Sequence, residues 1–82
     1  MSPTIHREGP YRFYFFSREE SRPHVHVESG SGEAKYWLEP IVALASSAGL
    51  KPGELKRIQR LVESNRNAFL KEWEKHFKKP RR

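Results

Sequence analysis

Along residues 23–39 apolar and polar side chains alternate with a period of two. Pro23-His24-Val25-His26-Val27-Glu28 is followed, after Ser29-Gly30-Ser31-Gly32, by Glu33-Ala34-Lys35-Tyr36-Trp37-Leu38. In a strand, successive side chains point to opposite faces. Val25 and Val27 therefore share one face, and His24, His26 and Glu28 share the other. With Gly30-Ser31 as a two-residue turn, Val25 opposes Tyr36 and Val27 opposes Ala34. His24 then opposes Trp37, and His26 opposes Lys35. A one-residue slip would mix the faces, so the pattern itself selects this register. The hairpin has an apolar side for packing. Its outer side carries two imidazoles, an ammonium and an indole, and is the best candidate for a site.

The flanking patterns complete an α+β domain. Thr4-Ile5-His6-Arg7 reads as a short edge strand with Ile5 inward, and Gly9-Pro10 as a turn. Tyr11 to Phe16 is dense in strand-favouring aromatics. Arg18 to Pro23 reads as a polar loop. Pro40 fits the first position of a short helix, with Ile41, Val42, Leu44, Ala45 and Ala48 as its apolar side. Gly49 suits its left-handed C′ position, with Leu50 as the accompanying contact. Pro52 opens a second helix, for which Lys51 is a poor N-cap. Leu55, Ile58, Val62, Phe69, Trp73 and Phe77 recur at three- and four-residue steps, interrupted by Asn65, giving an amphipathic helix of about six turns. Trp73 and Phe77 extend this stripe and read as core. His76 suits the dipole at the helix end.

The expected architecture is a three- to four-stranded antiparallel sheet followed by two helices on one face. Residues 1–78 form a single domain and 79–82 a disordered basic tail. The face left open holds His24, His26, Lys35 and Trp37, with Arg12, Tyr14 and His6 as further candidates.

Charge adds a second theme. The formal net charge is +6 and unevenly placed. Residues 1–40 hold five Lys/Arg against six Glu, whereas residues 41–82 hold eleven against four. Lys56, Arg60, Lys71, Lys75 and Lys78 fall on one side of the second helix. Such asymmetry points to a polyanionic partner, RNA or DNA, or else to a solvated helix face. With no cysteine there is neither disulfide nor thiolate chemistry, which suits a reducing cytosol. No apolar run approaches the ~20 residues of a membrane span, so no membrane role is expected. A chain this short is expected to carry a site on an open face, not in a deep cavity.

Several segments in order resemble one family, the small bacterial proteins of domain-of-unknown-function family 4160. They are Pro3-Thr4-Ile5, Tyr11-Arg12-Phe13-Tyr14-Phe15, Pro23-His24-Val25-His26-Val27, Gly32 to Pro40, and Glu54-Leu55 with the helix that follows. Lys51 stands where the family usually has a serine-like cap, and the basic tail is an addition. The resemblance implies a gene arrangement like that of toxin–antitoxin modules. It thus implies a small protein partner from an adjacent gene and an RNA-directed role, and it assigns no catalytic residue.

Three chemistries fit the outer face. His24 and His26 lie roughly 6.6 Å apart by backbone rise, close enough to converge on Zn²⁺ or Cu²⁺, with Glu28 or His6 as third ligand. No cofactor is firmly implied, since that ligand set is incomplete and Lys35 sits beside it. A metal-independent ribonuclease would use His24 or His26 as base and acid, with Lys35 and Arg12 for the developing charge. Binding without catalysis would use Tyr14 and Trp37 as stacking platforms and Lys56, Arg60, Lys71 and Lys75 as phosphate contacts. The plainest alternative is that these residues are cross-strand pairs that stabilise the sheet. The sequence favours binding of a protein partner and of nucleic acid, and leaves room for a homodimer.

Overall fold

The computed structural model describes residues 4–15 and 22–77. Five antiparallel strands run in chain order: β1 (Thr4–Glu8), β2 (Tyr11–Tyr14), β3 (His24–Glu28), β4 (Glu33–Trp37) and β5 (Ala43–Ala48). Two helices follow, α1 (Pro52–Ser64) and α2 (Arg66–Phe77). The β3–β4 register is the one that alternation selects, with Val25 opposite Tyr36, His26 opposite Lys35 and His24 opposite Trp37. The Ser29 N–H donates to the Gly32 carbonyl at 2.9 Å, closing the turn around Gly30-Ser31.

The sheet has one strand more than the sequence suggests. The helix expected after Pro40 is instead β5, paired with β4 from Trp37–Ala43 to Glu33–Ala48. Residues 39–41 form a bend between β4 and β5, so Pro40 does not start a helix; the Glu39–Pro40 bond is cis. Small alanines and serines carry little strand preference. What decides their state is the row of backbone groups along β4 that would otherwise lack partners. Ala45 is the extra residue where pairing shifts from Lys35–Ser46 to Tyr36–Leu44, a bulge that absorbs the mismatch. Gly49 is left-handed (φ 83°), as its residue type suggests, but it ends a strand.

A second difference lies in the long helix, which breaks in two. The Asn65 N–H reaches both the Leu61 and Val62 carbonyls, at 3.1 and 3.2 Å. Its side-chain Nδ2 donates to the Leu61 carbonyl at 2.8 Å. An asparagine side chain competing for backbone acceptors disfavours a continuous helix. Arg66 then ties the start of α2 to the sheet, its Nε donating to the Leu38 carbonyl at 2.7 Å. At the other end of α1, the Glu54 carboxylate accepts from the Lys51 N–H at 3.1 Å. That bond supports a helix start whose capping residue has no side-chain acceptor.

Both helices cover one face of the sheet. Phe13, Phe15, Val25, Val27, Tyr36 and Leu38 meet Ile58, Val62, Phe69, Leu70 and Trp73 in one core. Phe13 packs on Phe69 and Phe15 on Trp73, with ring centroids 5.5 and 5.3 Å apart. The Tyr36 hydroxyl donates to the Leu55 carbonyl at 2.8 Å, so its polar tip is satisfied within the packed layer.

The hairpin turn is locked against the end of β5. A Cβ added at Gly32 would lie 2.1 Å from the Ala48 carbonyl oxygen and 2.9 Å from the Gly49 Cα, whereas one added at Gly30 would meet nothing within 4 Å. Backbone cannot swing aside as a flexible side chain can. Gly32→Ala should therefore cost on the order of 2 kcal/mol, lowering Tm by roughly 8–16 °C. Gly30→Ala should stay within about 0.5 kcal/mol of the parent. Thermal unfolding of the two variants side by side checks this, and equal melting temperatures would contradict the packing.

Candidate binding face

The sheet face away from the helices is organised in cross-strand rows. Tyr14, His26, Lys35 and Ser46 are successive partners across β2, β3, β4 and β5. Arg12, Glu28 and Glu33 form the next row, and His24 with Trp37 a third. Residues that the sequence scatters over 35 positions are thus nearest neighbours, because each antiparallel pair brings them side by side.

Aromatic and cationic groups interleave on this face. The Tyr14 and His26 rings are stacked, with centroids 5.5 Å apart and planes 22° from parallel. The Arg12 guanidinium lies 4.6 Å from the Tyr14 ring centroid. It also donates to Glu28 at 3.0 Å and to the Thr4 hydroxyl at 2.6 Å. Trp37 has two cations against its indole, Arg22 at 4.1 Å and Lys35 at 4.5 Å. Arg22 is fixed by a 2.9 Å bond to the Glu39 carbonyl. Cations over indole faces are favourable by electrostatics alone.

The two histidines have different surroundings. His26 is half-buried and belongs to the row. His24 is only 1% exposed. Its ring lies 5.1 Å from His26 on one side and 5.1 Å from Trp73 of α2 on another. The expectation that both imidazoles face away from the helices therefore holds only for His26. The β2–β3 pairing ends at Tyr14–His26, so no β2 residue pairs with His24, and Trp73 packs there. His24 Nδ1 is 2.8 Å from the Arg22 carbonyl. A carbonyl only accepts, so Nδ1 carries the proton. His24 thereby holds Arg22 in place beside Trp37.

His6 is not on the open face. Ile5 is an extra residue between the Thr4–Tyr14 and His6–Phe13 pairs, and this bulge turns His6 toward the core side. Its ring packs 5.6 Å from Phe13 and 5.8 Å from Phe69, and its Nε2 is 2.9 Å from Glu8. Glu28, the other suggested third ligand, is held by Arg12. Among the described residues no group of three or more His, Cys, Asp or Glu is placed to hold a metal ion.

The basic helix residues are exposed but do not form one stripe. Lys56 and Arg60 lie on α1, Lys71 and Lys75 on α2, with the Asn65 break between them. Lys75 is 3.7 Å from Glu72. Over both helices six Lys/Arg face four Glu, so most of the excess charge of the second half belongs to residues 78–82, outside the described residues. Lys78 and the tail expected at 79–82 fall there too.

Two contributors were not visible from spacing. Arg22 is placed on Trp37 only in the folded chain. Ser46 joins the face because β5 is a strand.

The Tyr14 phenol is pushed above its ordinary value near 10, first by burial and then by the carboxylates of Glu28 and Glu33, with Arg12 opposing. Tyr36 is pushed up by burial. Both phenols stay neutral in the folded chain at a pH where they ionise in the unfolded one. Stability should therefore fall as pH rises above about 10, the unfolded value. A Tyr14→Phe/Tyr36→Phe variant should show a shallower alkaline decline. Chemical denaturation between pH 8 and 11, an interval set by that reference value of about 10, measures it. Identical slopes would contradict the placement of the two phenols.

The chain matches the family model described as a domain of unknown function, DUF4160, over residues 11–74. No curated protein and no solved structure matches it. The matched stretch takes in the aromatic strand, the histidine hairpin, β5 and nearly all of both helices, so the chain belongs to the DUF4160 family.

Proposed function

We propose that this protein is the small component of a toxin–antitoxin-like pair, acting in the cytosol, and that it binds a protein partner and single-stranded RNA. One observation carries the RNA reading: Trp37 has the cations of Arg22 and Lys35 within 4.5 Å of its ring centroid, on the same sheet face as His26 and Lys35, which the helices leave uncovered. Single-stranded RNA offers unstacked bases and a phosphate chain. Aromatic faces take the former, and flanking cations attract the latter. The protein-partner reading rests on the gene arrangement that family resemblance implies. Ile41, 68% exposed just before the edge strand β5, and Leu44, 41% exposed within it, are apolar surface available to such a partner.

Binding is favoured over hydrolysis by the position of His24. A ribonuclease built on this face would need two accessible proton-transfer groups near Lys35 and Arg12. His24 is enclosed by Trp73, Trp37 and His26, and Arg12 is engaged with Glu28. A metal-assisted route would require ligands that the described residues do not assemble. No helix among the described residues is long and apolar enough to cross a membrane.

Fluorescence anisotropy with short single-stranded oligonucleotides tests the RNA reading. Affinity should fall with salt, each phosphate contact contributing about 0.7 to the log–log slope. Trp37→Ala, checked for an unchanged melting profile, should weaken binding by about 2 kcal/mol, roughly thirtyfold. Lys71→Gln/Lys75→Gln should reduce mainly the salt-dependent part. Unchanged affinity for Trp37→Ala would remove the sheet face from the account. Co-expression with the product of the adjacent gene should give a co-purifying complex.

A further inference from the structure

A cleft of about 250 Å³ opens on the outer face between β2 and β5. Its polar lining comes from Tyr14, His26, Glu33, Lys35, Ser46 and Ser47, and its small members are Ala34 and Ala48. The volume suits one planar fragment, since larger ligands occupy roughly 300–1,000 Å³. We infer that this cleft is a subsite for a single guanine base; the inference rests on the RNA reading of the same face and names what that face selects.

Three features of the lining converge on guanine. First, an aromatic ring lines the cleft: half-buried His26, backed by the buried Tyr14 ring stacked on it with planes 22° apart, is the ring against which a planar base can lie. Second, the polarity is mixed. Glu33 lines the same cleft as Lys35, and both lie on the outer side of β4, two residues apart. A carboxylate repels a bare phosphate, and an ammonium repels a bare cation. The lining instead fits a neutral ligand with donors at one end and acceptors at the other. Third, the carboxylate is available. Of the facing pair Glu28 and Glu33, Arg12 takes Glu28. Glu33 has no hydrogen bond or ion pair among the described residues.

Guanine presents two adjacent N–H donors, N1 and N2, that match both oxygens of a carboxylate, and its O6 and N7 accept from an ammonium or hydroxyl. Adenine would turn its N1 lone pair toward Glu33. Uracil offers one donor between two acceptors. Cytosine offers an amino group beside the N3 lone pair. Each therefore loses at least one of the paired bonds and leaves a carboxylate oxygen facing an acceptor.

The test is an NMR titration of the full chain with the four nucleoside 5′-monophosphates at millimolar concentration, read at the Tyr14, His26, Glu33 and Ser46 amides. Guanosine monophosphate should bind at least roughly tenfold more tightly than the other three, the discrimination typical of one bidentate pair. Glu33→Gln should bring the four affinities within about threefold of each other, whereas Arg57→Gln, exposed on α1, should leave the preference intact. No binding of guanosine monophosphate, equal binding of all four, or a preference that survives Glu33→Gln overturns the inference. Single-stranded RNA bound on this face without guanine preference would leave the functional reading standing and remove the subsite. A guanine preference without oligonucleotide binding would do the reverse.

Discussion

The pairing of Val25 with Tyr36 and of His26 with Lys35 sorts the residues of this small domain into a core and a surface. Because the strand period is two, this register sends Val25, Val27, Tyr36 and Leu38 under the helices in the same step that sends His26, Lys35 and Trp37 away from them. The turn cannot drift, since Gly32 lies backbone to backbone against Ala48 and Gly49. Slippage would bury an ammonium and a half-buried imidazole among Phe13, Ile58 and Val62. Neither polar group would find a partner there, at a cost of several kcal/mol, a large part of the total stability of a domain this size.

The aromatic content is divided between the two faces to different ends. Phe13, Phe15, Phe69 and Trp73 fill the core and anchor the helices. Tyr14, His26 and Trp37 occupy the open side with Arg12, Arg22 and Lys35 against them. His24 joins the two layers. It touches Trp73 of the core and Trp37 of the open face, and through the Arg22 carbonyl it positions a cation on that indole. A residue that reads as a candidate catalytic base in the sequence thus serves to hold Arg22 and Trp37 in place on the open face. The helix lysines lie on the other side of the molecule, away from these rings.

The hairpin and its register were legible because alternation is a local signal and both faces obeyed it. The apolar stripe of the helices was legible for the same reason. The misread parts depend on partners distant in sequence. Ala43–Ala48 has the composition of a helix, and only the open edge of β4 makes it a strand. Asn65 was visible as an interruption, but the break also uses the Arg66 bonds to Leu38 and Pro40, 28 and 26 residues away. His6 was placed by a bulge at Ile5 that no alternation pattern announces. Arg22 and Ser46 reach the open face only once the loop and β5 have folded. Spacing therefore located the row from Tyr14 to Lys35 and missed its end at Ser46 and the Arg22 that lies on Trp37.

The central claim is that the open sheet face, not the basic helices, is where this protein meets its ligand. Amide and indole chemical-shift changes on adding a short single-stranded RNA to the isotope-labelled protein test it most directly. The largest changes should fall on Tyr14, His26, Lys35 and the Trp37 indole, with Lys56, Arg60, Lys71 and Lys75 shifting little. Changes concentrated on α1 and α2, with the Trp37 indole unmoved, would contradict it.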